Sequence, residues 1–254
     1  MEKDKLFSVD IKTFIKDVVC KKHGIYKATC GEHPVFGEIH TECPLCLKDK
    51  EKLQNDENEK ILIEKYKKLN IEPEYYKKTF SDFKCKTPSQ EKALNAVKNM
   101  VLQKHGKVIL LGSNGVGKTM LASIAAKELN GKIYSMYEIS AMIRQSYSSL
   151  AKKSELEIVK ELASVPFLAI DEFGRTKNSD TEQNWLSFIL DKRHTRKLPF
   201  MLMGNTHFKR FCKLGGCSKC FENFVDNDIL SRLRQDSSIV VIDADDERSL
   251  KIDS

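Results

Sequence analysis

Residues 107–121 read KVILLGSNGVGKTML. The apolar run at 107–111 has the length and composition of a buried strand, and helical texture returns after 118. Between them Gly112, Ser113, Asn114, Gly115, Val116, Gly117, Lys118 and Thr119 fit G-x-x-x-x-G-K-[ST] at every position. On a strand–loop–helix background the glycines let the backbone curl until its N–H groups face phosphate oxygens. Lys118 then reaches the outer phosphates of ATP, and Thr119 offers its hydroxyl to Mg²⁺. The adjacent Lys-Thr pair and the missing H-R-D signature exclude a protein-kinase glycine loop. A phosphate cradle alone does not say what the nucleotide drives.

The next clue lies in 165–172, VPFLAIDE. Its apolar residues predict a buried strand with Asp171 at the carboxyl end, where it can hold Mg²⁺. Glu172 beside it can polarise a water for in-line attack on the γ-phosphate, a group that a small-molecule kinase does not need. The competing reading is an acidic pair capping a helix. A further apolar run, LPFMLMGN at 198–205, ends on Asn205. If that strand lies between the two phosphate-binding strands, Asn205 can orient the attacking water; otherwise it is a turn residue.

From residue 89 onward helices and strands alternate. SQEKALNAVKNMVL (89–102), KTMLASIAAKELN (118–130) with Gly131 just past its end, 137–164 as one or two helices, and TEQNWLSFILDKRHTRK (181–197) read as helices. KIYSM (132–136) and SSIVVID (237–243) add two strands. Alternation of this kind predicts an α/β fold: a five-stranded parallel sheet with helices on both faces. Leu53, Ile61, Ile63, Tyr66 and Leu69 have helical spacing in a charged stretch. The expected organisation is a small module over 1–48, a helical connector over 49–88 and an ATPase domain over 89–254.

The chain has 254 residues, a net charge of +7 and eight cysteines. Its charged start carries no signal-peptide core, and its apolar runs are too short to span a bilayer, so a soluble cytoplasmic protein with no membrane partner is expected. The positive charge suits a polyanionic partner but equally a lysine-rich solvated surface. Seven cysteines fall in two clusters, which without a secretory signal points to metal before disulfides. The first cluster offers Cys20/His23, Cys30/His33 and Cys43/Cys46, one pair more than a tetrahedral Zn²⁺ needs. In the second, His207, Cys212, Cys217 and Cys220 could make another Zn²⁺ site or remain unliganded thiols.

With GSNGVGKT, the acidic strand continuing as DEFGR, the stretch WLSFILDKRHTRKLPFMLMGN and the late ILSRLRQ, residues 89–254 resemble an AAA+ ATPase of the DnaC/DnaI helicase-loader and IstB group. The resemblance implies that Arg232 acts as an arginine finger in a neighbouring subunit's ATP site, so that hydrolysis requires self-association. It makes Arg248 in DDERS a second sensor of the nucleotide, and leaves no room for a C-terminal helical lid. It places single-stranded DNA against 137–164, where Arg144, Tyr147, Lys152 and Lys153 are suited to phosphates and bases. Because CKKHG…CPLC resembles the N-terminal finger of some phage-type DnaC-like proteins, it selects Cys20, His23, Cys43 and Cys46, with Cys30/His33 the alternative pair. The implied partner is a replicative DnaB-type helicase, loaded in DNA replication. The alternatives are an IstB-type transposition helper and a zinc-dependent DNA-binding regulator. The second cysteine cluster departs from the group's pattern, since better-known loaders carry a short stretch there.

Overall fold

The computed structural model describes residues 13–33, 36–175 and 179–244. The chain divides into two compact units, Met1–Ile63 and Glu64–Ser254. In the first, strands β1 (Thr13–Cys20), β2 (Gly24–His33) and β3 (Gly37–His40) form an antiparallel sheet in the order β1-β2-β3, followed by helix α1 (Pro44–Lys68). Among the described residues of this unit only Ala28, Cys30, Gly31 and Cys43 are buried, while Ile15, Val19 and Ile25 stand in solvent. So little apolar burial leaves the module dependent on some other source of folding energy. Residue 48 lies inside α1, none of whose residues is buried. The helix expected from the Leu53–Tyr66 spacing is present; Leu53 and Ile61 on it are exposed, whereas Tyr66 in its last turns packs against the core of the second unit.

The second unit adds α2 (Pro88–Gln103), β4 (Lys107–Gly112), α3 (Lys118–Leu129), β5 (Lys132–Ser135), α4 (Met136–Ser146) and α5 (Glu155–Ser164). It continues through β6 (Leu168–Phe173), α6 (Asp180–Thr195), β7 (Phe200–Gly204), α7 (Asn227–Arg234) and β8 (Ser237–Ile242). The strands form one parallel sheet, ordered β5-β6-β7-β4-β8. Strand alternation divides the core. Val108 and Leu110 of β4 face α2 and α3, together with Ala169, Met201 and Met203. Ile109 and Leu111 face the opposite cluster, built from α4 to α7 with Leu168, Ile170 and Leu202. Helices therefore cover both faces, as the α/β pattern predicts. Leu69, Ile71 and Phe83, from the stretch read as a connector, are buried in the α2–α3 cluster. No helix among the described residues is long and apolar enough to cross a membrane.

This order decides the site. β7 lies between β4 and β6, so the carboxyl ends of three strands open onto one crevice.

Candidate nucleotide site and metal-ligand clusters

The phosphate loop leaves β4 through Gly112, whose φ is +152° and where a Cβ would meet the Ile242 carbonyl oxygen at 2.5 Å. Gly115 and Gly117 hold φ of +76° and +94°, the left-handed region that favours glycine. A Cβ on Gly117 would also press 2.4 Å from the Phe83 ring. With α3 beginning at Lys118, the loop presents a helix N-terminus to the crevice, a favourable position for anionic oxygens. Lys118 Nζ donates to the carbonyls of Gly112 (2.9 Å) and Ser113 (2.6 Å), so its ammonium already lies across the loop. Thr119 Oγ1 donates to Asp171 Oδ2 at 2.7 Å. Hydroxyl and carboxylate, 52 residues apart in sequence, thus converge on one point, the donor set a phosphate-bound Mg²⁺ requires.

β6 is irregular at the residues of interest. Its register against β7 shifts between Ile170 and Phe173, and Glu172 adopts φ +57°. A bulge of this kind re-aims a side chain, and the left-handed backbone of a glutamate stores strain. Asp171 Oδ1 accepts the Glu172 N–H at 2.7 Å, and Glu172 itself accepts from Arg175. Asn205 follows directly after β7. Lys118, Thr119, Asp171, Glu172 and Asn205 all line a single cleft of about 710 Å³. Its other wall is formed by Tyr75, Phe83 and Gln90.

Arg232 lies outside that cleft. It sits in the last turn of α7, partly exposed, with Nε donating to Asp191 of α6. Arg248 falls outside the described residues. Three of the four residues read as DNA contacts are engaged within the chain. The Arg144 guanidinium lies over the Tyr137 ring at 5.8 Å, Tyr147 donates to Glu155 at 2.6 Å, and Lys153 pairs with Glu161. Lys152 and Lys153 rim a groove floored by Tyr134 and Met142.

Both cysteine clusters close in space. The ligand atoms of Cys20, His23, Cys43 and Cys46 lie within 4.8 Å of one another, as do those of His207, Cys212, Cys217 and Cys220. In the first, Cys46 Sγ is 3.3 Å from His23 Nδ1 and 3.4 Å from Cys20 Sγ, and Cys43 Sγ is 3.7 Å from His23 Nδ1. A tetrahedral zinc with Zn–S of about 2.3 Å and Zn–N of about 2.0 Å has edges of roughly 3.5–3.8 Å, so these atoms fit such an ion. The backbone N–H groups of Lys22 and His23 point at Cys20 and hold its thiol down to about 6, while hydrogen bonding to Cys20 pushes Cys46 up to about 11. Cys30 and His33 lie on β2, and Cys30 Sγ is directed to the Ala28 carbonyl.

Four contributors escape a linear reading. Asp49 Oδ2 stands 3.2 Å from His23 Nε2, the carboxylate–imidazole contact that fixes a ligating histidine's ring. The signal for it exists: Asp49 follows Cys46 by three residues, on the same face of α1. Arg175 ends the DEFGR stretch. Phe83 against Gly117, and Asp191 against Arg232, are tertiary contacts with no local mark.

Comparison with known proteins fits this geometry. The sequence profile of the family described as IstB-like ATP binding protein matches residues 47–252. The replicative helicase loader DnaC of Escherichia coli strain K12 is 25% identical over 185 residues, which cover 70% of this chain and 71% of that protein. Among solved structures, DnaI aligns with a TM-score of 0.53 at 23% identity, covering 68% of this chain and 94% of its own. AMPPCP-bound DnaA from Aquifex aeolicus aligns at 0.55 with 20% identity, covering 72% and 54%. Identities this low show a shared fold. The profile spans most of the chain, including the phosphate loop, β6 and β7, and on that ground the chain belongs to the IstB-like ATP-binding family, with the AAA+ architecture of DnaC, DnaI and DnaA.

Proposed function

We propose that this chain is an ATP-regulated loader of a replicative DnaB-type helicase, acting in the cytoplasm during DNA replication and contacting single-stranded DNA. The observation that carries the reading is the convergence of Lys118, Thr119, Asp171, Glu172 and Asn205 on one cleft, in a chain 25% identical to a DnaC helicase loader.

Gly112 to Thr119 bind the triphosphate through loop N–H groups, and Lys118 transfers its hydrogen bonds from its own loop to the outer phosphates. Thr119 and Asp171 would hold Mg²⁺, whose bound charge offsets that of the phosphate oxygens. Glu172 turns from Arg175 and accepts a proton from the attacking water, while Asn205 orients that water from the adjacent strand. Arg232 of a neighbouring copy supplies positive charge where the transferring phosphoryl needs it, an effect worth about 10³ to 10⁵ in related NTPases. Self-association and ATP turnover are thereby linked. In the first unit Cys20, His23, Cys43 and Cys46 would hold Zn²⁺, which supplies the folding energy its small core lacks. That module meets the helicase, and Arg144, Tyr147, Lys152 and Lys153 meet DNA after exchanging their internal partners for phosphates and bases.

Affinity capture with a replicative helicase, with and without ATP, tests the reading. Nucleotide-dependent retention of the helicase is expected. No retention in either state, with stable binding to duplex DNA, would replace it with a transposition-helper function of the IstB type.

A further inference from the structure

We propose that His207 Nε2 and the Sγ atoms of Cys212, Cys217 and Cys220 form a second tetrahedral Zn²⁺ site that clamps the connection between Asn205 and the helix bearing Arg232. The ligand atoms are already gathered. His207 Nε2 lies 3.4 Å from Cys217 Sγ and 3.7 Å from Cys220 Sγ, and the two sulfurs are 4.0 Å apart. Those distances bracket the edges of an S₃N tetrahedron around zinc and are far from a disulfide, whose sulfurs lie about 2.04 Å apart.

The backbone is shaped around the same atoms. His207 and Cys220 form a lone parallel bridge, with His207 N–H donating to Lys219 O at 3.2 Å and Phe221 N–H to His207 O at 2.8 Å. The Cys217 N–H points at Cys220 Sγ at 3.3 Å, an amide–sulfur contact of the kind that orients a ligating sulfur. Buried Phe208, Phe221 and Val225 fix the two ends of the segment, but Phe211 and Leu214 at its tip are exposed, and between β7 and α7 it contains only two short 3-10 turns. A metal cross-link is the physical means by which so small a loop keeps one conformation.

Its position gives the clamp a consequence. Phe221 lies 5.2 Å from both Phe208 and Phe173, and Phe173 follows Glu172 directly. On the far side Gln183 Nε2 donates to Phe224 O at 2.9 Å while Gln183 Oε1 accepts the Asp226 N–H at 3.2 Å, and Asp226 caps the helix that carries Arg232. The zinc would therefore tie the end of β6 and the exit of β7 to the base of α7. The effect on Arg232 rests on the ATPase reading above; the metal site itself does not.

Zinc content of the full-length protein, purified without chelator, tests the site. Two zinc ions per chain are expected in the wild type, and one each in Cys217→Ser/Cys220→Ser and Cys43→Ser/Cys46→Ser. Cys212→His, which keeps a ligand atom, should retain two. A wild type with one zinc, or a Cys217→Ser/Cys220→Ser variant with undiminished zinc, overturns the proposal. The clamp is read separately. Cys217→Ser/Cys220→Ser should bind a fluorescent ATP analogue within twofold of wild type and lose tenfold or more of its assembly-dependent turnover, whereas Cys212→His, with four ligand atoms intact, should keep most of it. Loss of one zinc with unchanged turnover overturns the clamp. Should the double variant fail to bind nucleotide through misfolding, wild-type stoichiometry and Cys212→His still decide the site. A wild type with two zinc ions and no ATPase activity would sink the ATPase reading and leave the metal site standing.

Discussion

Glu172 combines a carboxylate aimed into the cleft with a backbone at φ +57°, a conformation that costs an ordinary L-residue about 1–2 kcal/mol. The register shift after Ile170 imposes that conformation, so a structural demand and a chemical one meet at one residue. The two can be separated. Glu172→Gln should bind ATP as wild type does but hydrolyse it about 10²- to 10⁴-fold more slowly. Glu172→Gly should be equally inactive yet about 1 kcal/mol more stable in thermal or denaturant unfolding. Turnover that survives in Glu172→Gln would remove the residue from the chemistry. At this scale the sequence was readable where chemistry is packed into a short spacing. Lys118 and Thr119 are adjacent, and the candidate ligand pairs at 20/23 and 43/46 are each three residues apart. Asp49 was missed although its i+3 offset from Cys46 announced it, and Phe83 could not be seen because only the folded chain lays its ring on Gly117.

Elements form where local signals agree. α2 starts at Thr87, whose side chain accepts the Gln90 N–H at 3.3 Å while Gln90 Oε1 accepts the Thr87 N–H at 3.2 Å, with Pro88 filling the first turn. α3 ends at Leu129, with Gly131 just past its cap as the sequence predicts, but Gly131 is not the left-handed residue. Asn130 takes the left-handed position at φ +51°, and Gly131 is required instead by Phe167, whose Cβ would stand 2.4 Å from a side chain there. Strand identities followed from apolar runs, but the placement of β7 between β4 and β6 is a tertiary fact that a linear pattern does not carry. α6 holds a further element-scale device in Arg193, almost wholly buried. Its guanidinium donates to the carbonyls of Val165 at 2.8 Å and Pro199 at 2.6 Å, bracing the exit of α5 against the entry to β7. Arg193→Leu strands these acceptors at about 1–3 kcal/mol each, so a loss of roughly 3 kcal/mol is expected. In a domain of this size that lowers Tm by about 6–12 °C, measurable by calorimetry. A shift under 2 °C would mean that water or another donor replaces the guanidinium.

Across the whole molecule, the two compact units divide the work by what stabilises each. The second buries two apolar clusters, one on each face of its sheet, and stands on its own core. Among its described residues the first buries only Ala28, Cys30, Gly31 and Cys43, and it gathers four candidate ligand atoms instead. Family membership was legible from the loop, DEFGR and ILSRLRQ because these are contiguous stretches, whereas partners leave no such mark in one chain. Arg232 shows the difference. Its place in ILSRLRQ was readable, while its contact with Asp191 and its position outside the chain's own cleft emerge only from the fold. On the proposed reading the cleft takes its last positive charge from a second copy, so turnover depends on assembly, and that is the proposal's central claim. The direct measurement is the ATPase rate per chain against protein concentration, for wild type and Arg232→Ala. Wild-type activity per chain should climb steeply as copies associate. Arg232→Ala should bind ATP equally well and stay about 10³-fold or more below wild type at every concentration. A rate per chain that is constant down to strictly monomeric protein, and indifferent to the charge at 232, would contradict it.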